Sequence, residues 1–118
     1  MSTVEPIGAG ASGRLWEGKV AIVTGGAQGI GAAIATQGLA DGARVWIFDV
    51  ADEPGRVAAE HFGPQCTYLH VDVTYEESVA SAVAEVIRVA GRVDILVDDA
   101  SGDAEEDAIA MTMGEFRW

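Results

Sequence analysis

Asparagine is missing from this 118-residue chain, and lysine occurs once, at Lys19. Seven Lys and Arg residues stand against nineteen Asp and Glu, a net charge of −12. A surface so short of cations suits neither nucleic acid nor anionic lipid, both of which are held mainly through Lys and Arg. A single cysteine, Cys66, excludes an internal disulfide and fits a reducing, cytoplasmic setting. No run is long and apolar enough to span a bilayer. The first eighteen residues lack the basic start and apolar run of a secretory signal. The expectation is a soluble protein without internal repeats or low-complexity segments.

What is present supports a folded core: 49% of residues are hydrophobic and 22% charged, and the length suits one domain or part of one. Residues 1–17 read as a flexible leader, with Leu15 and Trp16 docking on the body that follows. From Lys19 onward, strand-like and helix-like segments alternate. The β-branched run Lys19–Thr24 suits a strand buried on both faces. Gly29–Asp41 reads as a helix with Ile30 and Ile34 on one face, weakened at Gly38 by about 1 kcal/mol relative to Ala and stopped at Gly42. Arg44–Val50 is a second strand. A second helix begins near Asp52, with Pro54 in its first turn and Val57, Ala58 and Phe62 facing inward, and ends at Gly63-Pro64. Cys66–Val71 is a third strand. Thr74 and Glu77 have the spacing of a capping box for a third helix, which carries Val79, Val83, Val86 and Ala90 at helical spacing and closes at Gly91. Val93–Val97 is a fourth strand. Helical crossovers of this length join parallel neighbours in a right-handed sense. With strand 1 central, the fold class is α/β with strand order 3-2-1-4, part of a doubly wound parallel sheet whose ligands bind at the carboxyl ends of strands 1 and 4.

Thr24–Gly31 (TGGAQGIG) follows strand 1 directly and opens helix 1, with glycines at 25, 29 and 31. The turn demands backbone angles that side chains resist. Where Cβ is absent, a pyrophosphate can approach the backbone, and the helix start offers free N–H groups and the positive end of its dipole. Asp49 closes strand 2, where a carboxylate can accept hydrogen bonds from both ribose hydroxyls and repel the 2′-phosphate of NADP. No Arg or Lys follows within the next few residues, and Gln28 in the loop is neutral. The pattern points to NAD. It makes residues 18–118 part of a dinucleotide-binding domain.

KVAIVTGGAQGIG closely resembles the opening of the short-chain dehydrogenase/reductase family, whose loop is Thr-Gly-x3-Gly-x-Gly. Three further matches follow in register. Asp49 falls where the family's ribose-binding acid lies. Asp72-Val73 resembles the Asp-Val pair after strand 3, whose Asp contacts adenine. DILVDDAS (Asp94–Ser101) resembles the family's DILVNNAG. The resemblance implies a Rossmann-type fold and a cofactor site made of Gly25, Gln28, Gly29, Ile30, Gly31, Asp49, Asp72, Val73 and Ala100.

Two departures stand out. Asp98 and Asp99 replace two asparagines, so amide donors are lost and charge is added. A carboxylate near a strand end then needs a hydrogen-bond partner or a proton. As neighbours on a strand the two point to opposite faces and do not form a catalytic pair. Ser101 also lacks the backbone freedom of the family's glycine. The second departure is that the family's Tyr-x3-Lys pair has no counterpart. Neither Tyr68 nor Tyr75 has Lys four residues on, and the sequence stops where the family's catalytic residues and substrate loop begin.

His61, His70 and Cys66 lack partners at metal-ligand or nucleophile spacing and read as structural. Trp46 reads as packing. Asp103, Glu105, Glu106 and Asp107 read as a solvated acidic loop rather than a calcium loop. The expected function is therefore the NAD-binding portion of an oxidoreductase acting between an alcohol and a ketone, inactive as this isolated chain. Small-molecule substrates would become relevant only on completion. Association could occur through an exposed sheet edge. The alternatives are a non-catalytic nucleotide-binding or interaction module, and a chain too incomplete to fold alone.

Overall fold

In the computed structural model, residues 15–99 are described. Four parallel strands, β1 (Val20–Thr24), β2 (Arg44–Asp49), β3 (Cys66–His70) and β4 (Ile95–Asp98), form one sheet in the order β3-β2-β1-β4. Helix α1 (Gly29–Ala40) joins β1 to β2, α2 (Asp52–Phe62) with a short 3₁₀ turn joins β2 to β3, and α3 (Glu76–Ala90) joins β3 to β4. This is the 3-2-1-4 portion of a Rossmann-type α/β sheet.

Strand alternation divides the core into two layers. Val20 and Ile22 of β1 join Trp46, Phe48, Val71, Val79, Val83 and Val86 on the α3 face. Ala21 and Val23 face the other way, with Val45, Ile47 and Ala35, toward α1 and α2. Every residue of β1 is buried, as a central strand with helices on both sides requires. At its amino-terminal end, Asp94 ties β1 to β4: its Oδ2 accepts the Val20 N–H at 2.8 Å and Arg92 Nε at 2.8 Å.

Several local expectations need correction. α1 does not bury an isoleucine stripe. Gly31, Ala35 and Gly38 are its buried residues, Ile34 is half-buried, and Ile30 is 66% exposed. Gly38 is a contact rather than a weakness, because a Cβ there would come within 2.5 Å of the Trp16 ring. Trp16 itself is buried, whereas Leu15 is exposed. Val57 does not face inward but is 55% exposed. The inner face of α2 is formed by Gly55, Ala58, Ala59 and Phe62, and a Cβ on Gly55 would strike the Tyr68 ring at 2.3 Å. The capping box is also absent: α3 starts one residue later, with Tyr75 at the N-cap and no side-chain cap. The Thr74 hydroxyl donates instead to Asp72 Oδ1 at 2.6 Å. The helix stops fall as expected, with positive φ at Gly42, Gly63 and Gly91.

Candidate functional site

The β1–α1 turn brings together what the glycine spacing foretells. Gly25 and Gly29 adopt φ of 67° and 61°, in the left-handed region. The Gly25 N–H donates to Phe48 O at 2.8 Å, which seats the turn on the end of β2. Gly31 has a different role. A Cβ there would lie 2.3 Å from the Gly25 carbonyl oxygen, so the helix can fold back over the turn only without one. The helical ladder begins with Ala32 N–H donating to Gln28 O at 3.2 Å. The amides ahead of it, at Gly29, Ile30 and Gly31, are those a helix start leaves without helical partners. Gln28 is the N-cap in extended conformation and makes no side-chain cap, so nothing from Gln28 covers them.

Asp49 closes β2 beside this turn. Its Oδ2 accepts the Ala27 N–H at 3.1 Å, and its Oδ1 accepts the amides of Val50 (2.7 Å) and Ala51 (3.1 Å). Three backbone donors thus fix the carboxylate. Of the carboxylate's roughly four lone-pair sites, Oδ1 uses two and Oδ2 one, so the remaining acceptor site is on Oδ2. Next to it opens a cavity of about 220 Å³ lined by Gly25, Phe48, Asp49, Val50, Val71, Asp72, Val73 and Thr74. The volume is below the roughly 300–1,000 Å³ of sites that swallow a drug-sized ligand, which suits one nucleoside rather than a whole dinucleotide.

Asp72 and Val73 are on the cavity wall, as the resemblance implies. Asp72 Oδ1 is held by the hydroxyl and amide of Thr74 (2.6 and 3.0 Å), and these bonds lower its carboxyl below the usual carboxylate range. Phe48, Val50, Val71 and Thr74 also line the cavity, although they are not among the cofactor residues that the resemblance implies. Their signal is positional, since all lie within a few residues of the carboxyl ends of β2 and β3. Ala100 lies outside the described residues, as do Ser101 and the acidic cluster at 103–107.

The two aspartates that replace asparagines both find partners. The hydroxyl of Thr24, a fully buried residue, donates to Asp98 Oδ1 at 3.1 Å, and Thr24 Oγ1 accepts the Asp99 N–H at 3.1 Å. Asp99 Oδ2 accepts the Gly31 N–H at 3.0 Å. Asp98 therefore bridges β1 and β4, while Asp99 reaches the start of α1. A helix N-terminus favours such a charge through its dipole.

A third cluster was not legible in sequence. Asp52 Oδ1 accepts the Tyr68 hydroxyl at 2.6 Å and faces His70 Nδ1 at 2.8 Å. The Tyr68 hydroxyl is also 2.9 Å from the Asp49 carbonyl. Burial, and then the neighbouring Asp52, push the Tyr68 phenol well above its ordinary range, while Tyr68 and His70 lower Asp52. The cluster braces the β2–α2 turn. His61 lies edge-on to Phe62, and Cys66 is buried. Among the described residues no three His, Cys, Asp or Glu side chains gather as a metal site.

A glycine turn between the central strand and its helix, with an acid closing the next strand, is the arrangement of the Rossmann-type dinucleotide-binding folds. The comparison with protein families agrees. Residues 19–117 match the short chain dehydrogenase model, and the chain belongs to that family. It is 42% identical over 105 residues to zerumbone synthase of Zingiber zerumbet, covering 86% of this chain and 39% of that protein. It is 44% identical over 88 residues to secoisolariciresinol dehydrogenase of Forsythia intermedia, covering 74% of this chain and 32% of that protein. With tropinone reductase-like 1 of Erythroxylum coca the identity is 44% over 84 residues, 71% of this chain and 31% of that protein. The chain thus spans well under half the length of these relatives.

Proposed function

We propose that this chain is the NAD-binding portion of a short-chain dehydrogenase-type oxidoreductase. The observation that carries the reading is the placement of Asp49, whose carboxylate is fixed by three backbone amides at the mouth of a nucleoside-sized cavity and beside the glycine turn. Gly25, Gln28, Gly29, Ile30 and Gly31 would receive the diphosphate, Asp49 the adenosine ribose, and Asp72 and Val73 the adenine, with Ala100 along the cofactor. The turn supports this, because a Cβ at Gly31 is excluded and those at Gly25 and Gly29 are disfavoured by their φ. A fixed carboxylate at the ribose favours NAD over NADP, since a 2′-phosphate would face it and residues 50–55 carry no Lys or Arg to offset the charge.

Bound NAD supplies the hydride acceptor for oxidation of an alcohol, or NADH the donor for reduction of a ketone. The residues of this chain bind and orient it. Tyr68 and Tyr75 are poor candidates for proton transfer: Val79, not Lys, stands four residues after Tyr75, and the Tyr68 phenol is held protonated by burial and Asp52. The isolated polypeptide should therefore hold cofactor without turning it over. No helix among the described residues is long and apolar enough to cross a membrane. A cytoplasmic setting and association through the outer edge of β4 complete the proposal.

Calorimetric titration of the 118-residue chain tests this reading. Measurable, saturable NAD binding, weaker NADP binding and no reduction of NAD by secondary alcohols are expected. A cooperatively folded sample with no affinity for NAD or for adenosine would overturn it.

A further inference from the structure

We propose that Asp99 acts as a built-in anion at the glycine turn, so that affinity falls with the negative charge a nucleotide brings to the start of α1. The inference rests on the nucleotide reading above and adds to it a rule of selectivity.

The helix start has few amides to offer, and carboxylates of the chain already take some of those around it. Asp99 Oδ2 accepts the Gly31 N–H at 3.0 Å, and Asp49 Oδ2 accepts the Ala27 N–H at 3.1 Å. Gly31 admits this contact because a Cβ there would lie 3.1 Å from the same Asp99 oxygen. No Lys or Arg among the described residues pairs with the Asp99 carboxylate. Arg56, Arg88 and Arg92 pair with Glu53, Glu85 and Asp94. Arg44 lies over Trp46 at the amino-terminal end of β2, and Lys19 precedes β1 at that same end of the sheet. A diphosphate at the helix start must displace Asp99 from Gly31 or share the amide with a like charge. The apolar wall of the cavity, Phe48, Val50 and Val71, presents no such barrier to a nucleoside. The penalty should therefore track phosphate charge and spare adenosine. Asp98 is a natural control, because its carboxylate faces the Thr24 hydroxyl instead.

The test compares NAD and adenosine by calorimetry on the full chain and on Asp99→Asn, Asp98→Asn and Glu85→Gln. Asn keeps the size of Asp99 and an oxygen for the Gly31 N–H, but removes the charge and gains a donor. Asp99→Asn should bind NAD about tenfold tighter or better, with adenosine affinity changed less than about twofold. Glu85→Gln removes a charge on α3 and should leave the NAD-to-adenosine ratio within about twofold, while Asp98→Asn, whose carboxylate faces Thr24 and not the Gly31 amide, should raise it less than Asp99→Asn does. A second measurement needs no variant: the unmodified chain should bind ADP more weakly than adenosine. If Asp99→Asn retains adenosine binding but gains nothing for NAD, or if ADP binds the unmodified chain more tightly than adenosine, the rule is wrong while the nucleotide site stands. If neither NAD nor adenosine binds any folded form, the nucleotide reading fails and takes the rule with it.

Discussion

The carboxylate of Asp49 at the end of β2 accepts the backbone N–H of Ala27 in the glycine turn at 3.1 Å, so the proposed ribose-binding acid is physically tied to the proposed diphosphate loop. Asp49→Asn keeps an oxygen for one set of amides and removes the charge that would repel a 2′-phosphate. NAD affinity should fall about tenfold as a charged hydrogen-bond acceptor is lost. NADP affinity should fall less or rise, narrowing the preference. Parallel titrations of both cofactors read the ratio. An unchanged ratio would detach cofactor choice from Asp49.

The three glycines of the turn should fail in different ways when each is replaced by Ala. At Gly31 the added Cβ meets the Gly25 carbonyl oxygen at 2.3 Å, a collision with backbone that cannot rotate away. Gly31→Ala should therefore lose both stability and nucleotide binding. At Gly29 nothing lies within 4 Å, and only the φ of +61° is strained. That strain is worth about 1–2 kcal/mol, so Gly29→Ala should stay folded and lose affinity through its methyl facing the ligand. Gly25, with φ of 67°, should lose stability comparably to Gly29. Urea unfolding beside NAD titration separates the outcomes. Equal stability losses at positions 29 and 31 would contradict the packing argument.

Gly38 sets two effects against each other. Helix propensity says that Gly38→Ala should gain about 1 kcal/mol. The Trp16 ring says otherwise, because the new Cβ would lie 2.5 Å from Cε3 and 2.6 Å from Cζ3 of a buried indole. Overpacking typically costs about 1–3 kcal/mol, so the variant should be less stable by about 1–2 kcal/mol. A raised urea midpoint, with tryptophan emission shifted to the red, would mean that Trp16 swings out and propensity wins.

The strand order was legible because β1 and β2 are continuous apolar runs and because Gly42, Gly63 and Gly91 end the helices. The turn and Asp49 were legible because phosphate and ribose recognition impose a local order on the chain. Inward faces were less readable. Apolar bulk points to Ile30 and Val57, yet α1 and α2 lie so close to what they pack on (Gly31 against the Gly25 turn, Gly38 against Trp16, Gly55 against Tyr68) that glycine and alanine form their inner faces, at Gly31, Ala35, Gly38, Gly55 and Ala58. Thr74 has the spacing of a helix cap, but its hydroxyl donates to Asp72, two residues away. The bonds from Ala27 to Asp49 and from Gly31 to Asp99 span 22 and 68 residues, and no local pattern encodes them.

Cys66 should be inert in the folded chain. It begins β3, is 5% exposed, and burial raises its thiol to about 11. Only the thiolate alkylates readily, so iodoacetamide at mildly alkaline pH should label native protein at least about a hundredfold more slowly than protein in urea. The same burial makes stability pH-dependent. The unfolded chain releases this proton first, so stability should decline as pH climbs through the 9 to 11 range. Comparable labelling rates with and without urea would show that β3 is not packed as described.

Asp94 should produce the opposite dependence at acid pH. Burial alone would raise its carboxyl, but the Val20 amide and the Arg92 guanidinium outweigh that and lower it below its ordinary value. In the unfolded chain it therefore binds a proton at higher pH than in the folded one. Its stabilising contribution is complete above the unfolded value and is lost as pH falls through the folded one. At neutral pH Asp94→Asn should cost about 1–2 kcal/mol, the worth of a hydrogen bond to a charged group after discounting for solvent. The gap between variant and parent should close as pH is lowered from about 5 to 2. Urea midpoints at several pH values follow it. A gap that stays constant would mean that Asp94 joins β1 to β4 through shape and neutral hydrogen bonding, with its charge contributing nothing.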